Sequence, residues 1–292
     1  MTERHGIIVG IDGSPGSITA ARWAQTQVGE FGPIRPVFTW TIPALALAAS
    51  PLGYAPPPPP EEMQAAAERS AAMFAEDLGL DPKSMSVVQG DPGVVLTNMA
   101  ADANLLVVGT RSRGAATANL LGSVGRYAAD HSPTPLVIVP SDWHPDDSGR
   151  IAVGVDGSTN ALTALRWAAA HAGSRPITAV TSWQTPIDGP VMFGGGRFDV
   201  KAFRANAATT ADDAVAKVVA DLGLDDDRIT RCVREGDPRS TLLDEQSDAA
   251  LLVVGRRGRG GLAHLLLGST TTSLIHRPEC PIAVIPPEHT HD

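Results

Sequence analysis

Short unbroken runs of isoleucine, leucine and valine alternate along this chain with longer, alanine-rich stretches in which apolar residues return every three or four positions. The runs are brief and lack polar alternation, so they read as strands buried on both faces. The alanine-rich stretches read as the helices that cover them. In the first half the pattern predicts strands near residues 6–12, 34–41, 84–89, 104–109 and 135–140, and helices near 17–29, 61–79, 93–103 and 123–131. On the first helix Ala20, Trp23, Ala24 and Gln27 share one face, and Trp167 repeats the placement of Trp23, so both tryptophans are expected as core anchors. Five strands interleaved with four helices specify an α/β fold: an open, mostly parallel sheet whose right-handed crossovers stack helices on both faces. Ligands in such sheets sit beyond the carboxyl ends of strands, where strand order reverses.

The same pattern then occurs a second time. IIVGIDGSPGSITAARWA (7–24) returns as IAVGVDGSTNALTALRWA (151–168), QGDPGVVL (89–96) as EGDPRSTL (235–242), and LLVVGTRSRG (105–114) as LLVVGRRGRG (251–260). LLGS recurs at 120–123 and 266–269, and the halves close on PLVIVP (135–140) and PIAVIP (281–286). A repeat of this size is a domain rather than a solenoid unit. The chain therefore divides into two tandem domains, residues 1–140 and 150–287, with a polar linker at 141–149 and a tail at 288–292. The two closing strands come last in their sheets and are candidates for exposed edges, which invite pairing between the halves.

Composition removes several classes of function. The chain has 292 residues, and 23 basic against 32 acidic side chains give a net charge of −9, so bulk nucleic-acid binding is disfavoured. Two cysteines, Cys232 and Cys280, make no disulfide framework and read as small buried residues, which fits a reducing cytoplasm. The opening MTERHGIIVGIDGS passes from charges directly into a short apolar run, so no secretory leader is expected. The apolar loop 42–53 is broken by Pro43 and Pro51 and falls far short of the roughly 20 residues that span a membrane, so no membrane partner is expected.

Candidate chemistry sits at the predicted strand ends. In the second half the fourth strand ends at Gly255, followed by Arg256, Arg257 and Gly258, then nine residues to Gly268 and Ser269, a G-x-x-G-x9-G-S pattern. Glycines 255 and 258 would let the backbone turn sharply and bring bare N–H groups against a ligand. Ser269 is expected as the N-cap of a short helix over Thr270 to His276, whose N-terminus suits a phosphate. Arg256, Arg257 and Arg259 make a local positive cluster. The first half has Gly109, Thr110, Arg111 and Ser112, then Gly122 and Ser123, so a serine replaces the second glycine. The first strand of each half ends at Asp12 or Asp156. Each carboxylate either faces the glycine loop across one crevice, accepting from an amine or ribose hydroxyl or helping to hold a divalent cation, or closes an Asx turn into the next helix.

Together, VGxDGS, GDP, LLVVG, G-x-x-G-x9-G-S and the closing P-x-x-V-x-P resemble the universal stress protein family in its tandem form, over about Ile7 to Pro286. The resemblance implies a parallel five-stranded sheet of order 3-2-1-4-5 in each half and ATP as the ligand, with Mg2+ a candidate companion. It implies Asp156, Gly255, Gly258, Gly268 and Ser269 as contacts in the second half, with Asp12, Gly109, Ser112, Gly122 and Ser123 as their matches in the first. It also implies that backbone near Trp40 and Trp183 meets the adenine, and that a homodimer and a protein partner are plausible.

Other signatures are weak or missing. No G-x-x-x-x-G-K-[ST] occurs, and G10-I-D-G13-S-P-G16 is not G-x-G-x-x-G. The histidines are scattered, and the tail EHTHD reads as a frayed end rather than a metal site. Pro56 to Pro60 reads as a loop spacer, and it and the glycine-rich loop 187–196 leave strand ends where lids would sit. No carboxylate and histidine pair at the crevice to serve as base and orienter, which points to a nucleotide-occupied stress-response switch with at most slow hydrolysis. The competing readings are an adenine-nucleotide hydrolase or adenylyl-transferring enzyme, whose S-G-G-x-D signature is missing, and a nucleotide-free interaction scaffold.

Overall fold

The computed structural model describes residues 5–42, 59–111, 120–145, 149–185, 199–259 and 266–288. They form two compact units, Met1–Trp143 and His144–Asp292.

In the first unit β1 (Ile7–Ile11), β2 (Ile34–Trp40), β3 (Ser86–Gln89), β4 (Leu105–Gly109) and β5 (Leu136–Val139) lie in the order β3-β2-β1-β4-β5. All pairings are parallel, with Ile7 opposite both Ile34 and Leu105. The helices are α1 (Pro15–Thr26), α2 (Pro60–Asp77), α3 (Pro92–Ala100) and α4 (Ser123–His131). The second unit repeats this with β6 (Arg150–Gly154), β7 (Ile177–Trp183), β8 (Ile229–Glu235), β9 (Ala249–Gly255) and β10 (Ile282–Ile285), in the parallel order β8-β7-β6-β9-β10. Its helices are α5 (Thr159–His171), α6 (Val200–Leu222), α7 (Pro238–Asp244) and α8 (Ser269–His276). Each unit is thus a five-stranded open sheet of order 3-2-1-4-5, as the residue pattern and the resemblance predict.

The strands form where the sequence supplies Val, Ile and Leu without polar alternation, because both faces of a parallel sheet are covered. Ile7, Ile8, Leu105, Leu106 and Ile138 are fully buried, each contributing about 1.5–3 kcal/mol of transfer free energy. The helices start where a side chain satisfies their first amides. Ser14 accepts from Ser17 N, Asp91 from Val94 N, Ser158 from Ala161 N, Asp199 from Ala202 N and Asp237 from Ser240 N. Alanine stripes such as Ala67, Ala71 and Ala75 on α2 let a helix lie close to the sheet.

Two expectations about the core change. Trp23 is buried, but Trp167 is only half-buried and lies against His171 at 5.2 Å between ring centroids. Cys280 is buried, whereas Cys232 is half-buried on the edge strand β8, where one side of the ladder is open. The start of the expected tail is also tied down, since Glu288 pairs with Arg166 at 3.0 Å. The Pro56–Pro60 run up to Pro58, the loop 187–196 and residues 289–292 lie outside the described residues.

Candidate functional site

In the first unit, β1 is the point where strand order reverses, flanked by β2 and β4. A cavity of about 750 Å³ opens beyond the carboxyl ends of these strands, within the range typical of small-molecule pockets. It is lined by Asp12 and Gly109, by Val37, Thr39 and Leu96, and by Arg111, Gly122 and Ser123.

Asp12 follows β1 directly. Its Oδ1 accepts from Ser14 N at 3.0 Å, so the carboxylate closes an Asx turn into α1 while also lining the cavity. Gly13 holds a φ of +75°, and a Cβ there would lie 2.2 Å from the Phe74 ring, so the turn needs glycine on two counts. Partial burial pushes the Asp12 carboxyl upward, but hydrogen bonds from Ser14 and Ser17 outweigh it and hold the group below its ordinary value of 3.8.

Asp156 repeats the Asx turn, accepting from Ser158 N at 2.9 Å. Its Oδ2 also accepts from Arg259 N at 2.8 Å. In this unit the carboxylate and the glycine loop therefore meet directly. A Cβ on Gly258 would lie 2.4 Å from Asp156 Oδ2, and one on Gly157 would lie 2.4 Å from Arg259 Nη2. Both aspartates form the turn, and Asp12 also lines the cavity.

The glycines at the ends of β4 and β9 have a different role from the one expected. Neither Gly109 nor Gly255 has a positive φ. A Cβ on Gly109 would instead lie 2.1 Å from the Gly16 carbonyl oxygen, and one on Gly255 2.8 Å from the Asn160 backbone. Both glycines admit the amino end of the neighbouring helix against the strand.

The expected cap, Ser269, is also corrected. Ser123 and Ser269 are the first residues of α4 and α8, and the caps are Gly122 and Gly268, which offer no side-chain acceptor. Among the described residues no side chain caps the first amides of either helix. Gly268 N donates to Arg256 O at 3.0 Å, closing the glycine loop, and its missing Cβ would make only ordinary contacts.

Trp40 and Trp183 end β2 and β7. Their carbonyls accept from Gly90 N at 3.0 Å and Gly236 N at 2.8 Å. The Trp40 indole N–H donates to Gln64 Oε1 at 2.7 Å on α2. Side chains alternate along a strand, so it is Val37 and Thr39 that line the cavity. That alternation was readable in the sequence; Leu96, inside the repeated GDP segment, was another available signal. Ser112 lies outside the described residues.

Twin doubly wound sheets, each with a turn aspartate after its first strand and a glycine at the end of its fourth, define a tandem α/β protein. The family model for the universal stress protein family matches residues 3–140 and again 148–286, and the chain belongs to that family, in its tandem form. It is 27% identical over 296 residues to universal stress protein Rv2005c of Mycobacterium tuberculosis, with 97% of each chain covered. It is 28% identical over 297 residues to universal stress protein Rv2623 of the same organism, covering 96% of this chain and 95% of that one. Among solved structures, a universal stress protein from Archaeoglobus fulgidus shares the fold with a TM-score of 0.61 at 19% identity, covering 96% of this chain and 98% of that one. No helix among the described residues is long and apolar enough to cross a membrane.

Proposed function

We propose that this universal stress protein binds ATP and works as a nucleotide-dependent regulatory switch with slow turnover. The observation that carries the reading is the first unit's cavity, where the Asp12 turn and the uncapped amino end of α4 open onto one space of about 750 Å³. Helix amides and the Arg111 guanidinium suit the phosphates, and the apolar wall of Val37 and Leu96 suits a base. Asp12 is the one carboxylate among the lining residues. One carboxylate together with substrate phosphates is a common way of holding Mg2+, and a bound Mg2+ would supply charge neutralisation for the phosphates.

The same lining contains no histidine. Among the described residues lining the cavity no base and orienter pair stands ready to activate water, which favours occupancy over rapid hydrolysis. The test is to denature the purified chain, chromatograph the supernatant for released nucleotide, and then incubate fresh protein with ATP. Retained or added ATP that stays bound with little ADP supports the switch. Turnover within seconds moves the protein to the hydrolase reading, and a chain that ignores ATP moves it to the scaffold.

A further inference from the structure

We infer that Thr110 ties occupancy of the first unit's cavity to the segment by which the chain leaves that unit, so that a ligand in the cavity steadies the start of the linker. The inference rests on the nucleotide reading above and adds to it the place where the bound state is felt.

Thr110 follows β4 directly, is 2% exposed and lines the cavity. Its backbone is held on two sides. Thr110 N donates to Val139 O at 3.0 Å, and Thr110 O sits so close to Gly16 that a Cβ there would overlap it, which seats the first turn of α1 against this residue. The hydroxyl is turned to the exit of the chain, where Thr110 Oγ1 accepts from Ser141 N at 3.0 Å. Ser141 O in turn accepts from Thr19 Oγ1 on α1 at 3.2 Å, and Trp143 N donates to Pro140 O at 3.1 Å, closing a turn. Ser141 to Trp143 are the last residues of the first unit. Two threonine hydroxyls therefore fix the main chain as it departs, and one of them belongs to a residue of the cavity.

Releasing Ser141 N costs a buried hydrogen bond unless Thr110 shifts with its partner. With α1 on one side and the end of β5 on another, the room for that shift is the cavity. A ligand that fills the cavity removes the room and so favours the closed arrangement of Ser141.

The second unit lacks both partners of this bond. By the repeat, Arg256 stands in the place of Thr110, and Pro287, which has no N–H, in the place of Ser141. Thr163, in the place of Thr19, donates to a side chain, Glu288 Oε1 at 3.4 Å, rather than to main chain. The bond belongs to the unit whose closing strand leads into a linker.

The experiment is hydrogen exchange resolved to single amides on the full chain, with and without ATP. Amides of α3, whose Pro92 and Leu96 line the cavity, report occupancy. Leu106 N, which donates to Pro135 O inside the buried sheet, reports opening of the whole unit. At ATP concentrations that protect α3, Ser141 exchange is expected to slow by about fivefold or more relative to Leu106. Without ATP, Thr110→Val is expected to raise Ser141 exchange by about fivefold or more, while Thr110→Ser, which keeps the hydroxyl, stays within about twofold of wild type. Protected α3 amides with Ser141 unchanged relative to Leu106 overturn the inference and leave the nucleotide reading standing. Ser141 exchange in Thr110→Val equal to that of wild type also overturns it, because the hydroxyl then does not hold the exit. Wild-type protein in which ATP protects neither α3 nor Ser141 overturns both.

Discussion

The two units are built from the same elements in the same order, and among the described residues the unit with the fuller glycine motif shows its loop against its own turn aspartate. In the second unit Gly258 brings the loop so close to Asp156 that Arg259 N donates to the carboxylate. Thr271, the third residue of α8, is buried there and donates its hydroxyl to Gly255 O at 2.9 Å. At the matching position of α4 the first unit has Gly125, which lines the cavity. A glycine that lowers the steric cost of approach for a phosphate lowers it equally for the protein's own carboxylate.

The largest effect that would separate the units is on stability. An alanine at Gly109 would place its Cβ 2.1 Å from the backbone oxygen of Gly16, and main chain in the first turn of α1 has little room to retreat. Gly109→Ala is expected to cost about 3 kcal/mol or more. Gly255→Ala meets the Asn160 backbone at 2.8 Å, and is expected to cost roughly 1–2 kcal/mol. Denaturant midpoints of the two variants check the order. The reverse order would mean that the helix packs less tightly in the first unit than these distances require.

Next in size is Thr271→Gly, which gives the second unit the residue of the first. It removes the acceptor's partner at Gly255 O and adds a glycine to a helix, for about 2 kcal/mol together. Both cysteines lie in the second unit, so thiol labelling reports on that unit alone. Burial pushes Cys280 up to about 12, so its labelling waits for opening, while half-buried Cys232 reacts first. Faster Cys280 labelling in Thr271→Gly, with Cys232 unchanged, is the expected outcome. Unchanged Cys280 labelling would show that the hydroxyl to Gly255 bond contributes nothing to the unit's integrity.

These comparisons also mark how far the sequence could be read. The strands and helices were legible because buried parallel strands and their covering helices leave separate signatures, and the repeat doubled the signal. The convergence of Asp12, Gly109, Gly122 and Ser123 on one crevice was legible from strand ends and spacing. What each residue does there was not. Ser269 read as a cap because serine favours that position, yet the preceding glycine, Gly268, occupies it. Gly255 read as a turn-former, but its constraint comes from the Asn160 backbone on another element, nearly a hundred residues away in the chain. Trp40 entered through the resemblance, as a marker of the backbone at the end of β2, and its indole is turned to Gln64 while Val37 and Thr39 of the same strand line the cavity. Composition finds the elements; contacts between distant segments decide which face of each residue is used.

The turn aspartates distinguish the units at the next level. Asp12→Ala is expected to weaken first-unit ATP binding about tenfold and to cost roughly 1 kcal/mol of stability through the lost turn bond. Asp156→Ala loses the same turn and also frees Arg259 N, so its effect is expected on the loop as well as on the ligand. Exchange of the Arg256–Arg259 amides should rise in Asp156→Ala and stay unchanged in Asp12→Ala. A rise in both would mean that the carboxylates do not act locally.

The smallest effect belongs to the protonation of Asp12. Its folded carboxyl lies below 3.8, held there by hydrogen bonds from Ser14 and Ser17 that outweigh its partial burial. A depressed carboxylate contributes stability that is fully present above the unfolded value and is lost as pH falls through the folded one. Asp12→Asn keeps the turn, since an asparagine side chain accepts from Ser14 N as well, but it cannot titrate. Wild-type stability should therefore fall more steeply than that of Asp12→Asn between about pH 4 and pH 2, and the two should run parallel above about pH 5. Denaturant midpoints across that range measure the difference, and parallel curves throughout would mean that the serine hydrogen bonds do not favour the ionised form. Because Asp12 lines the cavity, the same pair of proteins also separates the two duties of the residue: asparagine preserves the turn and removes the charge, so any ATP affinity lost in Asp12→Asn above pH 5 belongs to the carboxylate as a crevice group and not to the turn it closes.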